Sequence, residues 1–506
     1  MNVRSWLCLT ATALGLALCG NVHAGKADDT LNVAFTSEIT TLDYFKVTER
    51  EGYEIARLIF DGLIYKDNKT GVFEPLLAKS YKIVDDKTID FELRQGVKFH
   101  DGETMTADDV VYTLNMASKK EYGARFQLSV QWIDRAEKLG DYSVRVHSKY
   151  PYPLALEMLS VLVPIYPQKY YEKVGPSGMG SHPVGTGPYQ LVSMEPGKRY
   201  VLKRFPGYFT GGPKGPASIE NIIVRVLPEA NTQYAELLNG KLDWIWRIPT
   251  DAARNLERQA RVDVQSTEIM RFAFIDLNPK FADGKTPLAD VRVRRALNHA
   301  IDKRAIVKSL VGGASNAIDG ACNPMQFGCT KDIARYPYDP GQAKKLLAEA
   351  GYKDGLDLEL TAALIPRAQT EAIAAQLKAV GVRATLNEQQ YAPAMTAWRT
   401  DKIPLLLGSW GSYGVGDSGF STGIWFAGSD DDRVKDPAVV AALKMADSTL
   451  DQELRKKKFA EAQKIIAEQA YLVPLWTYNV YTAQSKDLDF SFSPDEFAEF
   501  YRAKWK

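Results

Sequence analysis

Residues 408–420 read GSWGSYGVGDSGF and contain GDSG, the four letters that flank the nucleophilic serine of chymotrypsin-like proteases. A serine nucleophile at Ser418 would need a histidine base that a carboxylate holds in place. Beyond residue 24 the histidines are His100, His147, His182 and His299, each without a protease-like context, and no GxSxG elbow occurs. Metal chemistry has as little support, because no HxxH or HExxH spacing is present and no histidine falls in 405–425. A GxGxxG phosphate cradle at a strand-to-helix turn is also missing. What remains is a glycine-rich, aromatic loop following the apolar strand Pro404-Leu405-Leu406-Leu407, a form suited to the wall of a binding cleft. No catalytic residue, metal or cofactor is expected.

The compartment is legible at the start of the chain. Arg4 precedes an apolar run from Trp6 to about Cys19, and Val22 and Ala24 fit export-signal cleavage after Ala24. The run is too short for a membrane span, which needs about 20 apolar residues. Leu16-Ala17-Leu18-Cys19 resembles a lipobox, but the bulky Leu18 beside Cys19 favours free export over lipidation. Cleavage would remove Arg4 and no acid, taking the balance from 63 basic and 62 acidic residues to parity. A neutral chain offers no electrostatic footprint for nucleic acid. Cys322 and Cys329, in CNPMQFGC, are expected to close a small disulfide loop in an oxidising compartment. A metal site there would need neighbouring histidines or acids, and the loop has none.

Strand-like and helix-like segments alternate along the chain, the signature of an α/β architecture. Leu31–Phe35 reads as a first strand followed by the polar loop TSEITTLD, and Glu51–Tyr65 reads as a helix. Ile89–Leu93 alternates as a half-buried strand, and Thr106 caps a helix running through Met116. Further helices are expected from Pro340 to Gly351, from Gln369 to Val380, and from Asp451 to Ala470. The Pro and Gly density of HPVGTGPYQL at 182–191 marks a turn between elements. There is no obvious linker, which suggests lobes joined by several crossing strands.

Four stretches then carry a resemblance. They are EPLLAKSYKIVDDKTIDFELRQGVKFHDGETMTADDVVYTL at 74–114; Val184-Gly185-Thr186-Gly187-Pro188-Tyr189 with Phe205-Pro206-Gly207-Tyr208-Phe209; Leu238-Asn239-Gly240-Lys241-Leu242-Asp243; and Asp290 to Asp302, DVRVRRALNHAID. Together and in this order they resemble the peptide/nickel-type (family 5) bacterial extracellular solute-binding proteins, which feed ABC importers. The resemblance covers almost all of residues 30–490.

The resemblance implies a two-lobed periplasmic-binding-protein fold that closes on its ligand like a trap. Lobe I would take residues 25–268 and 475–506, with 55–180 as an extra subdomain, and lobe II would take 269–474. The expected function is a periplasmic, non-enzymatic receptor, a monomer, that presents a solute to the permease of an ABC importer. Its ligand would be a short peptide or a peptide-like or opine-like carboxylate; the alternatives are an oligosaccharide and, from another class, a secreted hydrolase. Dipeptide binders of the family place an aspartate in a W-x-x-D pattern to meet the peptide ammonium. Here Trp410 is followed by Tyr413 at that place, with Asp417 four residues later. A tyrosine cannot neutralise an ammonium. Arg367 matches the arginine with which those binders hold a carboxylate, a task that suits a guanidinium fork. Glu38, Ile39 and Thr40, Trp246, Phe274, and Asn323 and Phe327 of the cysteine loop complete the expected cleft lining.

Overall fold

The computed structural model describes residues 25–68 and 70–506. The expected signal segment, with Cys19 and the cleavage at Ala24, lies outside the described residues. A ten-stranded mixed sheet organises the molecule. From one edge to the other its strands are Val382–Glu388, Leu356–Ala362, Leu405–Gly411, Val262–Leu277, Leu472–Ser485, Trp244–Trp246, Thr30–Phe35, Asn221–Val226, Arg199–Arg204 and Tyr189–Glu195. The two central strands are the longest, with 16 and 14 residues, and pair antiparallel from Val262↔Ser485 to Asp276↔Leu472. Their register slips between Glu268 and Phe272, so the residues between are released for other contacts.

The apolar core divides on either side of that slip. One cluster gathers Leu31, Val33 and Phe35 with Phe91, Leu114, Trp132, Trp244 and the C-terminal Phe490, Phe492 and Phe500. Another joins Ile275 and Leu277 to Val293, Leu297, Leu360, Leu377, Leu407 and Trp476. A third packs Phe272 and Phe274 with Trp398, Trp425 and Phe459. A separate four-stranded antiparallel sheet, Ala78–Asp85, Thr88–Leu93, Ser143–Ser148 and Ile133–Gly140, is covered by the helix Ala107–Ala117. Thr106 and Asp109 form a reciprocal capping box at its start, satisfying two free amides.

The expected helix at 51–65 is shorter than its apolar pattern suggests. It spans Arg50–Ile59, and Phe60 is already extended. The cause is the turn at 185–187. The Gly187 amide donates to the Ile59 carbonyl at 2.8 Å, and a Cβ on Gly185 would lie 2.2 Å from that same oxygen. Only glycine lets the turn come this close.

His100 fixes the other side of the turn. Its Nε2 donates to the Gly187 carbonyl at 2.9 Å, while Nδ1 accepts from the Gly185 amide at 3.4 Å. Both ring nitrogens are thus used by the neutral tautomer, and burial pushes the imidazole pKa down to about 4. Because the folded pKa lies below the unfolded one, stability is complete above about pH 6.5. It is expected to fall by about 1.4 kcal/mol per pH unit between there and pH 4. Urea unfolding across this range should show a shallower slope for His100→Gln than for the wild type. Parallel slopes would refute the assignment.

Candidate functional site

The register slip places Arg271 at the centre of a charged cluster that joins the first strand's loop to the glycine-rich loop. Arg271 pairs with Glu496 at 3.3 Å and donates from Nη1 to Ser409 Oγ at 3.4 Å. Arg50, at the start of its helix, reaches the same carboxylate at 3.4 Å. Burial alone would raise the Glu496 pKa, but the charges of Arg271, Arg50 and Arg247 together hold it below the usual carboxylate range. The Arg50 guanidinium also lies over the Tyr413 ring, 4.5 Å from its centre. Tyr413 has φ 52°, which turns it away from its strand and edge-on to Phe126 at 4.6 Å.

Arg247 completes the cluster from the end of the strand Trp244–Trp246. Its Nη1 meets Glu51 Oε1 at 2.9 Å, its guanidinium stacks 4.1 Å from the Trp246 ring centre, and its φ is 53°. Ser37, beside Glu38, donates to the same Glu51 oxygen at 3.5 Å. Arg50, Arg247 and Arg271 thus face Glu51 and Glu496, an excess of one positive charge where four segments of chain meet. None of these five was anticipated from the sequence. The signals were present: Arg271 interrupts the apolar run FAFIDL at its start, and Arg247 ends an aromatic strand.

The expected cleft residues are placed as follows. Glu38 and Thr40 are exposed, and Thr40 Oγ1 donates to Glu49 at 3.2 Å. Ile39 is buried, and its carbonyl accepts from the Tyr200 hydroxyl at 3.0 Å. Trp246 is buried beneath Arg247. Phe274 packs inside against Trp425 at 5.1 Å, and Trp410 donates its indole N–H to the Phe420 carbonyl at 2.9 Å. Arg367 extends to the surface with its side chain 73% exposed, paired with Glu371 at 2.8 Å and Glu388 at 3.9 Å. It stands with these acids rather than with the arginine–glutamate cluster.

The cysteine loop is built into the same neighbourhood. Cys322 and Cys329 are disulfide-bonded, and Asn323 is buried with its amide donating to the Ile269 carbonyl at 2.9 Å, within the slipped stretch. Phe327 donates its amide to Gly416 O at 2.8 Å, and its carbonyl accepts from Ser418 N at 3.0 Å. The disulfide loop therefore splints the glycine-rich loop.

Asp417 faces away from Tyr413. Its carboxylate pairs with Arg455 at 2.8 Å, both side chains being buried, and it accepts from the Gly419 amide at 2.9 Å. It lines a cavity of about 1330 Å³ together with Lys66, Glu157 and Arg455. Ser418 is fully buried in the short turn Ser418–Phe420. The histidine rings bond elsewhere: His100 to the 185–187 turn, His147 to Glu137, His182 to Ser181 and His299 to Pro337.

Sheet, cores and cluster define a two-lobed solute-binding fold of the periplasmic type with an additional subdomain. The family profile described as bacterial extracellular solute-binding proteins, family 5 Middle, matches residues 72–432. The chain belongs to this family. It is 28% identical to the glutathione-binding protein GsiB of Salmonella typhimurium, over 99% of both chains. It is 26% identical to heme-binding protein A of Haemophilus influenzae, over 94% of both. The structure of HbpA2 from Haemophilus parasuis superposes with a TM-score of 0.83 at 24% identity, covering 94% of this chain and all of that one. Family 5 proteins are periplasmic solute receptors of transport systems that dock with ABC permease subunits. Among the described residues no helix is long and apolar enough to cross a membrane.

Proposed function

We propose that this chain captures a short peptide or peptide-like, carboxylate-bearing solute between its lobes and presents it to an ABC permease. The observation that carries the reading is the excess of guanidinium over carboxylate in the Arg50–Arg247–Arg271 cluster. An anion entering there meets oriented donors in surroundings of low dielectric. The relationship to a glutathione-binding protein over nearly the whole chain supports the same ligand class. The separate cores and the slip at 268–272 support a division close to lobes of 25–268 with 475–506, carrying the subdomain 55–180, and of 269–474, although Leu475 and Trp476 pack in the core of the second lobe, which moves the return crossing just beyond them. The mature chain begins after Ala24 in this reading, and the protein binds without turnover.

Calorimetry and thermal unfolding of the mature protein with glutathione, Leu-Leu and maltotriose provide the test. A ligand at a hundred times its Kd is expected to stabilise the fold by about 2.7 kcal/mol, recovered unchanged after binding. Saturable binding of maltotriose without binding of either peptide would overturn the proposal.

A further inference from the structure

The three arginines of the cluster are not equivalent. Arg50 and Arg271 share Glu496 and are held by it. Arg247 has Glu51 as its ion-pair partner at 2.9 Å, and its side chain remains 42% exposed. Two features hold it in place for a partner that arrives from solution. The indole face of Trp246 supports the guanidinium plane at 4.1 Å and restricts its rotation. The backbone at φ 53° is a left-handed conformation that arginine seldom adopts, and such strain tends to be kept at ligand clamps.

We infer that Arg247 is the residue that selects solutes by their carboxylate, gripping it from the Trp246 face while Glu51 keeps the fork aimed. This rests on the receptor reading above and names the determinant within it. Glu51 meets Nη1 of the guanidinium, leaving further N–H groups to donate to the oxygens of a ligand carboxylate. Burial lowers the Arg247 pKa, and the Arg50 and Arg271 charges add to this against Glu51 and Glu496. A ligand anion would relieve that imbalance. Arg367, which matches the family's usual carboxylate arginine, is already bonded to Glu371 and Glu388 at the surface.

Binding of glutathione and Leu-Leu, each beside its C-terminal carboxamide, tests the inference in the wild type and in Arg247→Asn and Arg247→Lys. Asparagine adopts the left-handed conformation readily, so the backbone is preserved while the charge is lost. The wild type is expected to prefer at least one acid over its amide by about tenfold or more. Arg247→Asn should lose about 10–100-fold for that acid and bind acid and amide alike, as expected for a lost charge-assisted pair. Arg247→Lys should keep part of the preference. If Arg247→Asn retains the wild-type preference, or weakens acid and amide equally, Arg247 is not the selector although the receptor reading stands. If neither acid binds the wild type, both fall.

Discussion

Glu496→Gln is expected to destabilise the fold by about 3–5 kcal/mol in urea unfolding at neutral pH, the cost of removing one partner from a buried ion network. Glu496 is buried, as is Arg50, and its carboxylate is shared by Arg50 and Arg271. Glutamine fills the same space and can keep φ 67° no worse than glutamate, so the substitution isolates the charge. Without it, two guanidinium groups face each other with Arg247 nearby. Acid titration supplies a second readout. The Glu496 pKa is depressed in the fold, so its stabilisation is present above about pH 4.5 and is lost as pH falls through the folded value. The variant should lack that part of the acid limb. A loss below about 1 kcal/mol would mean that solvent screens the cluster, and the electrostatic case for an anion site would weaken with it.

This network explains why the sequence revealed the fold more readily than the candidate site. Strands and helices announce themselves by local period and caps: Thr30–Phe35, Thr88–Leu93, Ala107–Ala117 and Gln452–Glu468 lie within a few residues of their expected limits. The helix Arg50–Ile59 was overread because its stop is not local. It is imposed by Gly185 and Gly187, more than 120 residues downstream. The site obeys the same logic. Arg50, Arg247, Arg271 and Glu496 are far apart in the chain, and each reads alone as a solvated charge. What joins them is the slip between the two long strands, which no single-strand pattern encodes. Arg367 shows the converse: a local match to a motif does not fix which acid a long side chain will meet. The aromatic residues were visible as a group but not sorted. Phe274 and Trp425 serve the core, whereas Tyr413 bridges to Phe126 and Arg50 in the other half of the molecule.

Asp417→Asn is expected to cost stability rather than ligand, and by an amount that depends on pH. The carboxylate is the counter-ion of buried Arg455 at 2.8 Å, and the Asp447 carboxylate stands beside it, close enough for each to feel the other's charge. Burial and then the Asp417 charge push the Asp447 pKa up to about 7, against the pull of Arg455. With asparagine at 417 that repulsion disappears, so Asp447 should ionise more readily and take over part of the neutralisation. The loss should therefore be about 3–5 kcal/mol near pH 5.5, where Asp447 is protonated, and smaller by about 1–2 kcal/mol at pH 8.5. The double variant Asp417→Asn/Asp447→Asn lacks the Asp447 titration, so its own stability should stay flat from pH 5.5 to 8.5 where that of the wild type falls, and its loss at pH 8.5 should exceed the sum of the single losses. A direct role in holding a ligand ammonium predicts the reverse pattern: unchanged unfolding free energy and a large loss of peptide affinity. The existing ion pair with Arg455 argues for the structural outcome, because an ammonium would have to compete with a guanidinium already bonded at 2.8 Å. A receptor built this way uses the acid of its glycine-rich loop to fasten the loop to the helix Gln452–Glu468, and leaves Tyr413 to face Arg50.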